Sequence, residues 1–174
     1  MKKSLTLSLL LGVSLLAADY SGVIEVPDAS KIIEKDLLAP VGIYKMPKGC
    51  ITDDPKAIAR GSFMFHNLNG ENAKGEAPEG LKKVDAHGKN KQYGNCVACH
   101  NIEGAIGGGN IGPDLTAYND VYVKSGIRDH QFVYQKTADP RVDNPNTNMT
   151  VNLTTKLFNE REICDITSYI LSPK

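Results

Sequence analysis

Cys96-Val97-Ala98-Cys99-His100 decides how this chain is read. Two thiols stand two residues apart, and an imidazole follows the second at once. That spacing is the attachment signature of c-type haem. Each thiol adds to one vinyl group of the porphyrin, and the adjacent histidine then lies beneath the iron as its proximal ligand. The competing reading is half of a zinc site, which needs two further Cys or His at short spacing. The remaining cysteines, Cys50 and Cys164, stand singly and far from the motif. The motif therefore implies one haem c per chain, attached through Cys96 and Cys99, with His100 as an axial ligand.

Outward from the motif, two helices are predicted. Asp54-Pro55 places an acceptor at a cap and proline at the first helical position. The helix runs to about His66, with Ala57, Ile58, Gly61, Met64 and Phe65 on one broad face. Near the other end, Asn159 with Glu162 forms a capping box in which Asn replaces the usual Ser or Thr. The helix it opens, Glu160 to Leu171, puts Ile163, Ile166, Tyr169 and Ile170 on one side, and Pro173 lies just past its end. Packed together, these helices make a small all-α domain. Between them, Asn67 to Gly94 is polar and rich in Gly, Lys and Glu, which predicts a long surface loop. Trp is absent and aromatics are only 6% of the chain. A buried haem supplies the large apolar core element those side chains do not.

The first residues fit export. Lys2 and Lys3 precede a mostly apolar run from Leu5 to Leu16, and the small residues Ala17 and Ala18 follow. This reads as a secretory signal peptide over residues 1–18, cleaved after Ala17 or Ala18. The run is shorter than the ~20 apolar residues a spanning helix needs, so no membrane anchor is expected. No cysteine marks a lipid-attachment site, and the expected location is the periplasm. Residues 19–53 form an N-terminal extension, irregular because Pro27, Pro40 and Pro47 interrupt it, with one short helix over Ser30 to Leu38. Residues 54–174 form the haem domain. The chain has 20 basic and 20 acidic side chains, and the leader removes two lysines and no acid. The remainder is nearly neutral, with no basic stripe to bind nucleic acid.

A distal iron ligand is sought downstream of the motif. Met149 is the only methionine there, in the polar, turn-rich stretch Asp143-Asn144-Pro145-Asn146-Thr147-Asn148. A thioether in such surroundings is expected to point inward to iron, and such ligation raises the reduction potential. His130 is the rival ligand. The glycines from Gly104 to Gly112 do not make a phosphate loop, because the lysine of GxxxxGK[ST] is missing and no strand precedes them. They are expected to let the chain pass close to the haem edge. Tyr118, Arg128 and Arg141 are candidate partners of the haem propionates; for the arginines a solvated surface charge is the alternative.

Gly61 with Phe65, set against Ile166 with Tyr169, resembles the helix crossing of class I cytochromes c. Ile111-Gly112-Pro113-Asp114-Leu115 is similar to that family's Gly-Pro-x-Leu segment, where the proline carbonyl accepts the proximal histidine's Nδ1 proton. The resemblance gives that role to Pro113 and implies a class I cytochrome c-like fold with an irregular N-terminal extension and long surface loops. The order of segments narrows it further. Gly94-Asn95-Cys96-Val97-Ala98-Cys99-His100, then the Pro113 segment, Asp139-Pro140-Arg141 and Asn144-Pro145-Asn146-Thr147-Asn148-Met149 resemble the SoxX family. That family supplies the small monohaem subunit of thiosulfate-oxidising systems. Two features depart from it. Met149 is followed by Thr150-Val151-Asn152 rather than by proline, and the Asn67 to Gly94 loop is long.

The resemblance implies a larger SoxA-like haem subunit as partner, a SoxYZ-like carrier whose cysteine receives thiosulfate, and a soluble cytochrome c as electron acceptor. The chain is then the non-catalytic haem subunit of an L-cysteine S-thiosulfotransferase, inert alone, with the reactive cysteine on the partner. Its 19–53 extension is read as an arm that contacts that partner. A free-standing periplasmic electron carrier and a haem-based gas sensor are the alternatives. Cys50 and Cys164 are read first as a disulfide tying the segment before the first helix to the last helix, since those helices should pack together. Two separate cysteines are the alternative, and a catalytic thiol comes last because no histidine or basic cluster adjoins either. His66 and His87, in polar context, are expected to face solvent.

Overall fold

The computed structural model describes residues 39–85 and 87–173. The leader, its cleavage site and the Ser30–Leu38 helix lie outside them. Among the described residues, three α-helices carry the domain: α1 over Pro55–His66, α2 over His130–Ala138 and α3 over Glu160–Leu171. Among the described residues no strand forms; only the isolated bridges Asn69–Gln92 and Val84–Asn90 occur. No helix there is long and apolar enough to cross a membrane. The domain is all-α.

Each end of α1 and α3 has a local cause. Asp54 accepts the N–H of Lys56 at 3.1 Å, and Pro55 fills a position whose N–H has no helical partner. At α3, Asn159 accepts from the Glu162 N–H at 3.0 Å, and the Glu162 carboxylate accepts from the Asn159 N–H at 3.1 Å. Lys91, from the long loop, pairs with Glu162 as well.

Helices α1 and α3 cross where Gly61 meets the Asp165 backbone. A Cβ at position 61 would stand 2.0 Å from the Asp165 carbonyl oxygen and 2.8 Å from Tyr169 Cβ. Only glycine allows that approach. Phe65 and Tyr169 flank the crossing, with ring centroids 5.5 Å apart. Beside them lies a buried ion pair in fork geometry: Arg60 Nε and Nη2 donate to the Asp165 carboxylate at 2.7 and 3.0 Å. Met64, Phe65, Phe158, Ile163 and Ile166 fill the core next to it.

Two expectations change. The Asn67–Gly94 segment is not wholly superficial. Leu81 and Tyr93 are buried, Tyr93 stands edge-on to Phe63 at 5.4 Å, and its hydroxyl donates to the Lys82 carbonyl. Backbone bonds from Gly70 to Lys91 and from Tyr93 to Leu68 draw the two limbs of the loop together. His66 does not simply face solvent. Half-buried, it shares a 2.7 Å hydrogen bond with the Tyr169 hydroxyl. His87 is exposed.

Cys50 and Cys164 form a disulfide, with Cα atoms 4.9 Å apart. It ties the segment before α1 to α3. Ser168 reinforces the tie, accepting from the Thr52 N–H and donating to the Cys50 carbonyl.

Candidate haem site

Asn95, in left-handed backbone at φ 45°, turns the chain into a 3-10 turn over Cys96–Ala98. Asn tolerates that conformation better than most residues. The N–H groups of Cys99 and His100 both return to the Cys96 carbonyl, at 3.1 and 2.9 Å. This sets the two thiols and the imidazole on one tight turn. Both thiols are free. Burial pushes the Cys96 thiol up to about 12.

The glycine-rich segment packs on the motif itself. Gly109 donates to the Val97 carbonyl and Gly112 to the Cys99 carbonyl, each at 2.8 Å. His100 is buried, and its Nδ1 lies 2.7 Å from the Pro113 carbonyl oxygen. A carbonyl only accepts, so Nδ1 carries the proton and Nε2 keeps its lone pair. Gly112 makes the arrangement possible, because a Cβ there would stand 2.3 Å from His100 Cε1. The glycines thus clear space for the motif's backbone and the imidazole. Further along, Asp114 accepts from the Thr116 N–H at 2.7 Å and from the Asn101 amide at 3.0 Å, and Leu115 donates to the Asn101 carbonyl. Hydrogen bonds from Thr116 and Asn101 hold the Asp114 carboxyl below the usual range.

Met149 is half-buried and lines a cavity of about 500 Å³ with Arg141, Pro145, Thr147, Val151 and Leu157. His130, at the start of α2, lines a separate cavity of about 610 Å³ with Arg128 and Phe132. Neither lining includes Cys96, Cys99 or His100. The structure brings the motif and Pro113 together, and Met149 and His130 line two different cavities. Arg141 is committed to Asp139: its Nε and Nη2 donate to that carboxylate at 2.9 and 2.7 Å. Arg128 lies over the Phe132 ring at 4.4 Å. Tyr118 is half-buried beside Tyr122, with centroids 4.7 Å apart.

The sequence assigned no role to Gln131, Gln135 or Asn152. Asn152, in the stretch that follows Met149, has a structural job. Its amide donates to the Thr137 carbonyl at 2.7 Å, and its N–H with that of Leu153 satisfies the Ala138 carbonyl. These are the open carbonyls at the end of α2. No local pattern advertises such a cap.

The residues present fit haem c. Two free thiols share one turn with an imidazole whose outer nitrogen is anchored and whose inner nitrogen is available to iron. Among the described residues, no group of three or more His, Cys, Asp or Glu is placed to hold a free metal ion, so the zinc reading lacks its further ligands.

The sequence model of the cytochrome c family matches residues 86–174, just over half of the chain. No curated protein matches it. A haem-attachment turn, a proline carbonyl on its histidine and crossed α1 and α3 thus coincide with the family match: the chain belongs to the cytochrome c family and is an electron-transfer protein with covalently bound haem c.

Proposed function

We propose that this cytochrome is the electron-accepting haem subunit of a SoxAX-type complex, carrying one haem c ligated by His100 and Met149. The reading is supported by the Asn144-Pro145-Asn146-Thr147-Asn148-Met149 segment and by the order of segments around it. Two bare apolar side chains near the haem motif support the subunit role. On the glycine-rich segment bonded to Val97 and Cys99, Ile106 is 96% exposed and Ile111 74%. A partner that covered them together would bury both from water.

The reaction served joins thiosulfate to a carrier cysteine: the thiol loses its proton, a sulfur–sulfur bond forms, and two electrons leave. The haem supplies a one-electron Fe(III)/Fe(II) couple. This chain's part is to hold His100 in one tautomer, so that bound haem could take those electrons singly before a soluble cytochrome c receives them. The chemistry belongs to a larger SoxA-like subunit acting on a SoxYZ-like carrier. The leader over residues 1–18 sends the protein to the periplasm, where haem is attached.

Affinity purification of the tagged mature protein from its native periplasm tests the proposal. Stoichiometric recovery of a second, larger c-type cytochrome through moderate salt is expected. So is reduction of the haem by thiosulfate in the recovered complex when carrier is added. Recovery of a lone monohaem protein from cells growing on thiosulfate identifies a free-standing carrier instead.

A further inference from the structure

The segment ahead of α1 is bound into the domain by side chains of α2 and of the residues just after it. Residues 39–46 run as a strap beside α2. Gln135 accepts the Tyr44 N–H at 2.7 Å and donates to the Gly42 carbonyl at 2.9 Å. Gln131, one helical turn earlier, accepts the Met46 N–H at 2.8 Å and donates to the Tyr44 carbonyl at 2.9 Å. The two amides satisfy the strap's backbone as a neighbouring strand would.

At its start the strap reaches Asp139, a fully buried carboxylate just past α2. The Gly42 N–H donates to it at 3.0 Å, and Arg141 Nη1 donates to the Ala39 carbonyl at 3.0 Å. The same carboxylate gathers both ends of the loop that carries Met149. From the front come Arg141 Nε, Nη2 and backbone N–H, and from the back the Thr154 hydroxyl at 2.7 Å. Thr154, whose hydroxyl hydrogen is engaged by Asp139, accepts from the Tyr44 hydroxyl at 2.8 Å. A buried carboxylate stripped of such donors is costly, so they are held together. Pinning both ends of a loop narrows the positions its middle can visit.

We propose that Asp139 and the 39–46 strap position the Met149 loop and thereby set how firmly Met149 holds the haem iron. The proposal rests on the reading of Met149 as the distal ligand. Asp139 is a positioning residue, acting through Arg141 and Thr154. The N-terminal segment is in consequence coupled to the distal ligand, although no strap residue lines the Met149 cavity.

The test uses the haem-loaded protein as wild type, D139N, T154V, the double variant Gln131→Ala/Gln135→Ala, and M149A. Each is read by the rate of carbon monoxide binding when reduced and by the sulfur-to-iron charge-transfer band when oxidised, at temperatures where far-ultraviolet dichroism shows it folded. Carbon monoxide needs the position Met149 holds, so its rate reports how often the thioether is off the iron. M149A is expected to bind it rapidly and to lose the band. Loss of one hydroxyl donor in T154V is expected to raise the rate about five-fold, and D139N by roughly ten-fold or more, because charged hydrogen bonds are lost. The double glutamine variant, which leaves the loop's own sequence intact, should move the same way. Wild-type rates and band in D139N, T154V and the glutamine variant, with M149A strongly altered, overturn the positioning role and leave Met149 as ligand. A wild-type spectrum in M149A overturns the ligand reading and the proposal with it. Should D139N not fold, the two milder variants decide.

Discussion

His100 donates its Nδ1 proton to the Pro113 carbonyl at 2.7 Å, and Gly112, next to that proline, leaves the space in which the ring lies. The hydrogen bond selects the tautomer that offers Nε2, and the glycine keeps the chain against the ring face. Substituting Gly112→Ala forces a Cβ into the imidazole. The ring cannot yield without losing Pro113. Overpacking of this kind is expected to destabilise the haem-loaded protein by about 1–3 kcal/mol. It should also reduce the yield of covalently loaded protein, measured by pyridine haemochrome assay per polypeptide. An unchanged yield and an unchanged denaturation midpoint would falsify the close-packing account.

The buried Arg60–Asp165 pair makes a second prediction. Its side chains are only 9% and 6% exposed, so removal of one partner strands the other charge. Arg60→Met alone should cost ~3–5 kcal/mol in urea unfolding, whereas Arg60→Met with Asp165→Leu should recover much of the loss. Additive single effects in this cycle would show that the two charges do not depend on one another.

The Cys50–Cys164 disulfide spans 114 residues of sequence. Replacing both cysteines by serine is expected to lower stability by about 2–5 kcal/mol. The visible spectrum should stay as it is, since neither sulfur belongs to the haem motif. Urea midpoints that do not differ between the wild type and the double variant would mean that the bond does not form in the protein.

Acid sensitivity should separate Asp139 from its amide. Hydrogen bonds from Arg141 are the largest cause holding the Asp139 carboxyl far below the usual carboxylate range, and Thr154 and Gly42 add to them. A depressed folded value means that the unfolded state binds the proton more readily. The stabilisation is therefore complete above the unfolded value of about 3.9 and is lost as pH falls below it. The stability gap between wild type and D139N should be constant from neutrality to about pH 5 and narrow below about pH 4. A gap independent of pH down to acid unfolding would contradict the assignment.

Helices α1 and α3 were legible because their signals are local: Asp54 before Pro55, Asn159 three residues before Glu162, and an apolar face in each. Helix α2 escaped sequence reading even though Asp129 caps it, its carboxylate accepting from the Phe132 N–H at 2.7 Å. Val133, Tyr134, Gln135, Thr137 and Ala138 are all buried, so no single apolar stripe marks it. One part of α2 packs on α3, while Gln131 and Gln135 serve the strap. His66 looked like a surface residue for a similar reason: its partner Tyr169 lies 103 residues away.

The sequence by itself determined the haem-attachment chemistry, since thioether formation and proximal ligation need only thiols and an imidazole at short spacing. It also determined where α1 and α3 begin, since a cap acts within one helical turn. The tertiary structure alone decided that Cys50 pairs with Cys164, that Arg141 serves Asp139, and that this carboxylate joins the N-terminal strap to the Met149 loop. Gly42 and Asp139 stand 97 residues apart. Hydrogen bonds over such separations leave no periodicity in the chain; they are selected only when packing buries a charge and requires that it be satisfied.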